Sequence, residues 1–179
     1  GMTVNVGIAQ TPNSLDVENN FRAVMSLLPK FAEAGADLVL FPECSLSGFS
    51  AKMKECTSSV LNPYLEEVQM WTNRTGIEVI LPTAFVSDGL VYNSGWWFKR
   101  SEANQFYKVG LTDSEKKFFS SPNESYSKIF QINGFRFALL ICFEIEHEPW
   151  SYFQPNEVDA VLWPSYWGWE LDSKWQAYK

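Results

Sequence analysis

Histidine is nearly absent from this chain: His147 is the only one among 179 residues. Zinc sites usually draw on several histidines and cysteines, and histidine-based triads need a placed imidazole, so this count disfavours both. Cysteine is scarce as well. Cys44, Cys56 and Cys142 form no C-x-x-C pair, and their odd number argues against a complete disulfide framework. Any catalysis is therefore expected to use carboxylate, lysine or thiol groups.

Basic residues and long apolar runs are lacking too. The chain has 14 Lys and Arg against 21 Asp and Glu, for a formal net charge of −7 and no basic stripe, which disfavours nucleic-acid and anionic-membrane binding. Its longest fully apolar run covers residues 137–143, far short of the roughly 20 residues that span a bilayer. Gly1 before Met2 has the form of a tag remnant, and no secretory signal follows it. A cytoplasmic globular domain is therefore expected.

The first half of the chain alternates strand and helix patterns. Asp16 is placed to cap the first helix and Gly35 to end it, and Pro63 is suited to the first position of the second. The predicted elements are strands over 4–9, 37–41 and 77–81 and helices over 17–34 and 63–75.

The second half carries hairpin signals instead. The segments 90–99, which follows the turn Ser87-Asp88-Gly89, and 103–108 are expected to pair as one hairpin, and the dipeptide Asn133-Gly134 suits the tight turn of another. The predicted strands are 90–99, 103–108, 127–132, 135–142 and 158–163. A βαβ start followed by hairpins predicts an α/β domain with a mixed sheet covered by helices.

Three of the predicted strands end in a reactive side chain, namely Glu43, Lys108 and Cys142. In α/β sheets, sites collect at the carboxyl ends of strands. Each residue also has an ordinary structural explanation: a buried cysteine behaves as a small hydrophobe, a glutamate can cap the next element, and a strand-end lysine can be solvated. Together, however, the three supply a thiol, a base and a positive charge for a developing oxyanion.

His147 is the alternative base. It lies five residues after Cys142 and between the acidic residues Glu146 and Glu148, whereas catalytic Cys–His pairs are normally assembled from distant parts of a chain. The sequence favours a carboxylate as the catalytic base and leaves His147 as the alternative.

Four segments carry a resemblance to a known family. They are Leu38-Val39-Leu40-Phe41-Pro42-Glu43, Tyr107-Lys108-x-x-Leu111, Leu140-Ile141-Cys142-Phe143-Glu144 and Leu162-Trp163-Pro164-Ser165-x-Trp167. In that order and at that spacing, the chain resembles the nitrilase superfamily of carbon–nitrogen hydrolases. The resemblance implies a four-layer α-β-β-α sandwich with mixed sheets and a homodimer or higher homo-oligomer, and it requires no metal and no organic cofactor.

The resemblance also implies roles for single residues. Glu43 would be the general base, Lys108 would stabilise the tetrahedral intermediate and Cys142 would be the nucleophile. Phe143 would donate its backbone N–H to the oxyanion, and Trp167 is expected to join it in binding the substrate.

Glu115 matches a further glutamate that many family members use, because it lies four residues before the aromatic Phe119. A solvated loop charge beside Lys116 and Lys117 is the alternative interpretation. We therefore include Glu115 among the expected catalytic residues.

The implied reaction is hydrolysis of a non-peptide C–N bond in a small linear amide, a carbamoyl compound or a nitrile, through a thioester on Cys142. Acyl transfer to an amine is one alternative, since the triad does not determine the acceptor. The other is a catalytically inactive family member that acts as a binding or assembly module.

The chain departs from the family pattern in two places. After the nucleophile it has His147-Glu148-Pro149-Trp150, where members commonly show an aromatic residue, proline and glutamate. It also stops at Lys179, where members continue through further strands and helices, so residues 1–179 are expected to form a single domain truncated at its C-terminus. The tryptophan-rich tail is expected either to meet a second copy of the chain or to fold back onto its own domain.

Overall fold

The computed structural model describes residues 3–11, 14–122, 129–132, 134–139, 159–162 and 174–178. Its helices and strands are β1 (Thr3–Ile8), α1 (Val17–Glu33), β2 (Leu38–Leu40), α2 (Ser58–Thr75), β3 (Glu78–Ser87), β4 (Leu90–Lys99), β5 (Glu102–Tyr107), β6 (Ile129–Ile132), β7 (Phe135–Leu139), β8 (Ala160–Leu162) and β9 (Lys174–Tyr178). Two short 3₁₀ helices, Ala51–Glu55 and Glu115–Lys117, lie in the loops after β2 and β5.

The strands form two sheets. The larger has the order β5-β4-β3-β2-β1-β9, and the smaller has the order β6-β7-β8. Because β1, β2 and β3 are parallel neighbours and β3-β4-β5 is an antiparallel meander, strands β1, β2, β3 and β5 all run in one direction. The expected mixed sheet is confirmed.

The two helices begin for different reasons. Asp16 caps α1 by accepting a hydrogen bond from the N–H of Glu18 at 2.9 Å, and Gly35 follows the helix with a φ of 82°, as predicted. Helix α2 begins at Ser58, five residues before the predicted start at Pro63. The prediction was wrong because it placed the proline at the first helical position, whereas burial of Leu61 in the core stabilises a further turn before it.

Alternating side chains of the larger sheet build two cores. On β2, Val39 packs in one cluster with Val24 of α1 and Val68 of α2. Its neighbour Leu38 points the other way and packs with Phe135 of β7. This period of two is what a sheet buried on both faces requires. The described residues therefore form helix, sheet and sheet layers, three of the four that the expected sandwich contains.

Strands β3 and β4 form a long hairpin that was not predicted, whereas the predicted pairing of β4 with β5 is confirmed. Asp88 and Gly89 take φ values of 51° and 76°, which suit a tight turn between twisted strands. Strand β3 runs six residues past the predicted end at Leu81, through Pro82, because β4 pairs with it from Val79 to Ser87. Gly95 lies opposite Pro82, and a Cβ at that glycine would be only 2.8 Å from the proline Cα.

The end of the chain returns to the larger sheet. Strand β9 pairs antiparallel with β1, with the backbone of Trp175 opposite Val6. Residues 174–178 therefore take the second of the two expected alternatives and fold back onto their own domain. Strand β8 pairs in parallel with β7, as a short version of the strand predicted over 158–163. Within the described ranges, neither helix is long and apolar enough to cross a membrane.

Glu78, at the start of β3, is a partly buried carboxyl that accepts a hydrogen bond from Trp97 Nε1 at 2.6 Å. Burial raises the pKa of Glu78, and the Trp97 hydrogen bond and the charge of Lys99 offset this only in part. At Glu78 the native state therefore holds more protons than the unfolded chain between pH 4.5 and the raised pKa of the folded state. The contribution of Glu78 to stability falls as the pH rises through that window.

We expect Glu78→Gln to stabilise the protein near neutral pH and to have little effect at low pH, because glutamine keeps the acceptor for Trp97 without the charge. Urea unfolding at several pH values checks this. Glu67→Gln, at an exposed position of α2, removes the same charge and should show no such pH dependence. Equal pH dependence in the two variants would contradict the prediction.

Candidate active site

Glu43 and Lys108 reach the same edge of the larger sheet from different strands. Because β2 and β5 run in one direction, their carboxyl ends lie on one side. Glu43 lies just after β2. Two residues before it, Phe41 donates its backbone N–H to the carbonyl oxygen of Ile80 in β3 at 3.0 Å. Lys108 directly follows β5, and its N–H donates to Asn93 O at 2.8 Å. Sheet hydrogen bonds therefore fix the backbone beside both side chains.

One buried ammonium lies between two carboxylates. Lys108 Nζ is 3.1 Å from Glu43 Oε2 and 2.7 Å from Glu115 Oε2. The Lys108 side chain is 0% exposed, against 8% for Glu43 and 17% for Glu115. Such short, charge-assisted hydrogen bonds offset the cost of burying the three charges. The structure thus brings together three of the expected site residues, whereas Cys142, Phe143 and Trp167 lie outside the described residues.

Glu115 is fixed by its own loop. Its Oε1 accepts from the N–H of Thr112 at 3.2 Å, and its N–H donates to Thr112 Oγ1 at 3.1 Å, the reciprocal arrangement of a capping box. The neighbouring Lys116 instead has a 62% exposed side chain paired loosely with Asp113. Glu115 is therefore a held, ion-paired carboxylate rather than a solvated loop charge, and its catalytic role stays a prediction.

The loop after Glu43 is a tight turn. Gly48 donates its N–H to Cys44 O at 2.8 Å, and the two residues have positive φ values of 70° and 55°. Any Cβ at Gly48 would collide with the backbone of Ser14, so glycine is required there. The turn folds the chain back beside β3, where Leu46 donates its N–H to Pro82 O at 3.1 Å.

Two polar residues that the sequence analysis missed anchor this loop. Buried Asn20 of α1 donates from Nδ2 to Leu46 O and to Ser14 O, each at 3.0 Å. Ser47 Oγ accepts from the N–H of Ala84 in β3 at 2.9 Å. The signal for Asn20 is a polar residue on the otherwise apolar face of an amphipathic helix.

Burial has the largest effect on the titration of the site. It raises the pKa of Glu43, against the lowering effect of Lys108, and the charge of Glu115 raises it further. Burial also raises the pKa of the Cys44 thiol well above its usual range and that of Cys56 to about 11. Both thiols are free and are therefore protonated and unreactive near neutral pH. Among the described residues, no three His, Cys, Asp or Glu side chains group as a metal site would require.

Comparison with known proteins gives one family model, described as carbon-nitrogen hydrolase, that matches residues 5–177. An (R)-stereoselective amidase from a Pseudomonas species is 32% identical over 113 residues, which are 62% of this chain and 40% of that protein. A nitrilase from Pyrococcus abyssi is 23% identical over 144 residues, 76% of this chain and 54% of that protein. The chain spans about half the length of the curated relatives that it matches.

Solved structures show the same fold. An amidase from a Nesterenkonia species superposes with a TM-score of 0.77 at 19% identity, over 90% of this chain and 64% of that one. A glutamine-dependent NAD+ synthetase from Acinetobacter baumannii gives a TM-score of 0.74 at 22% identity, over 94% of this chain and 33% of that one. The expected fold class, that of the nitrilase superfamily, is therefore confirmed.

We expect Lys108→Met to destabilise the protein by about 3–5 kcal/mol, because it leaves one buried and one partly buried carboxylate without their cation. The loss should be smaller at acidic pH, where burial favours the protonated form of Glu43. Chemical unfolding of the variant and the parent at two pH values measures both effects. Lys116→Met is the matched control, since that lysine is exposed and should contribute nothing measurable. Equal stability of the two variants would contradict the account of the buried cluster.

Proposed function

Because the chain belongs to the carbon–nitrogen hydrolase family, we propose that it hydrolyses a non-peptide C–N bond, in a small linear amide rather than a carbamoyl compound or a nitrile. The observation that carries this proposal is the buried Lys108 ammonium between Glu43 and Glu115. A carboxylate with a raised pKa can accept a proton near neutral pH, and a fixed ammonium can stabilise an oxyanion. The name of one relative, an (R)-stereoselective amidase, favours an amide, whereas the name of another, a nitrilase, keeps a nitrile as the alternative substrate.

In the first step, the Cys142 thiol transfers its proton to Glu43, and its sulfur forms a bond to the amide carbon. The carbonyl electron pair moves to oxygen, where the Lys108 ammonium and the N–H of Phe143 balance the new negative charge. Glu115 keeps Lys108 charged and oriented from the other side. Each described group in this step is already held by hydrogen bonds, so little reorganisation accompanies the charge shift.

The tetrahedral intermediate then breaks its C–N bond, and the leaving nitrogen takes the proton from Glu43. Ammonia or an amine departs, and the acyl group remains on Cys142 as a thioester. Water next gives a proton to Glu43 and attacks the acyl carbon, the C–S bond breaks, and the proton returns to sulfur. A carboxylic acid leaves, and the site is restored.

We assign the nucleophile to Cys142 because the burial and raised pKa values of the other two cysteines make them unsuitable. Cys44 and Cys56 are buried and have raised pKa values, which is unsuitable for a nucleophile. Cys142 lies three residues beyond β7, whose Phe137 packs in the same core cluster as Phe106, two residues before Lys108. Since Glu43 can serve as the base, no imidazole from His147 is needed.

Other expectations belong to this proposal without a test of their own. Trp167 would form an apolar wall of the pocket. The homodimer and the cytoplasmic location stay predictions of the sequence. Acyl transfer differs from hydrolysis only in the acceptor, and the cluster accommodates either.

Ammonia release from a panel of small primary amides tests the proposed reaction. We expect activity with at least one amide, and losses of about 10³-fold or more in Cys142→Ala and Glu43→Gln, because the nucleophile and the base act as a unit. Cys56→Ala is the matched control and should retain activity. Full activity in Cys142→Ala would contradict the mechanism, and no release from any amide would favour the binding module.

A further inference from the structure

Asn93, in the middle of β4, has a buried side-chain amide without a hydrogen-bond partner. The residue is 1% exposed, and neither Nδ2 nor Oδ1 forms a hydrogen bond in the part of the chain that the structure describes. Burying a polar group unpaired costs stability, so such a group in a native protein needs an explanation. A functional role that uses the amide during the reaction is one such explanation.

The same residue touches both partners of the Glu43–Lys108 ion pair. Its backbone oxygen accepts the N–H of Lys108 at 2.8 Å. Its side-chain amide is also near enough to Glu43 to lower the pKa of that carboxyl, although no contact of hydrogen-bond geometry joins the two groups. Asn93 shares a face of β4 with Gly95 and Trp97, and Trp97 packs in the core between the sheets. The amide is therefore held at the site from the side of the second sheet.

The Glu43 carboxylate can accept one more hydrogen bond. Lys108 binds its Oε2, but Oε1 accepts no hydrogen bond within the described ranges. Two charged groups act on Glu43 there, the Lys108 ammonium and the Glu115 carboxylate. The charge of Glu43 in turn raises the pKa of the nearby Cys44 thiol. Lys108 is already shared with Glu115, which it approaches more closely. A neutral amide is the group suited to fix the second oxygen.

We propose that Asn93 is a positioning residue for Glu43: its amide Nδ2 donates to Oε1 when the carboxylate is ionised and fixes the plane in which that carboxylate accepts a proton. This inference rests on the proposed function for the role of Glu43 as base. A neutral donor orients the carboxylate while weakening its basicity less than a second cation would. Asn93 thereby holds the Glu43 carboxylate through its side chain and the Lys108 backbone through its carbonyl oxygen.

The test combines two readouts on the full chain carrying Asn93→Leu, which removes the amide and keeps the backbone. The first is the titration of the Glu43 carboxyl carbon by NMR, with Glu43→Gln to assign the signal. The second is the pH profile of Cys142 alkylation by iodoacetamide, resolved by mass spectrometry. We expect the Glu43 pKa to rise and the acidic limb of alkylation to move to higher pH, with a loss of about tenfold in rate on that limb.

Thr72→Val is the matched control. Thr72 Oγ1 is also buried without a partner, but it lies in α2, so its removal should leave both readouts unchanged. Asn93→Asp should shift the Glu43 pKa and the alkylation profile in the same direction as Asn93→Leu, because a second carboxylate disfavours ionisation of Glu43. This variant replaces Asn93→Leu in the test if the leucine variant does not fold. An unchanged Glu43 titration in the folded Asn93 variant would overturn the inference. If instead Glu43→Gln leaves Cys142 alkylation unaltered while the titration still shifts, the proposed function fails and the Asn93–Glu43 contact stands.

Discussion

The buried ammonium of Lys108 is the interaction on which the rest of this site depends. It binds Glu43 at 3.1 Å and Glu115 at 2.7 Å, in surroundings that leave its own side chain fully enclosed. Without it, one buried and one partly buried carboxylate would lie close together and repel each other. Glu43 must therefore meet the segment that carries Lys108 and Glu115, although Lys108 lies 65 residues farther along the chain.

The fold supplies that meeting point through strand direction and loop anchoring. Parallel β2 and β5 deliver Glu43 and Lys108 to one edge, and hydrogen bonds from neighbouring strands hold the backbone on each side. The loop after Glu43 is fastened by Asn20, and the loop after Lys108 is fastened by the mutual bonds of Thr112 and Glu115. Precision of this kind is what a preorganised charge-stabilising site needs, because the groups do not move when charge develops.

The sequence was most informative where local chemistry decides structure. Asp16 and Gly35 mark the ends of α1, and the turn signal at residues 87–89 marks where β4 begins. Strand ends also identified Glu43 and Lys108 as neighbours, since parallel strands share an edge. Strand β9 was missed because its pairing comes from the free edge of β1, at a sequence distance that no local pattern reports. Asn20 and Asn93 were missed because a periodicity shows which face a residue occupies, and not which hydrogen bonds its amide makes or lacks.

Trapping the acyl intermediate tests the central claim most directly, namely that this charge cluster serves a thiol at Cys142. The full chain would be treated with 4-nitrophenyl acetate, quenched in acid and mapped by mass spectrometry, with hydroxylamine to identify a thioester. The account predicts one hydroxylamine-sensitive acetyl group on Cys142, a slower loss of that group in Glu43→Gln because water then lacks its base, and no acetyl group on Cys44 or Cys56. Acetylation of the buried thiols in place of Cys142, or no thioester at all, would contradict it.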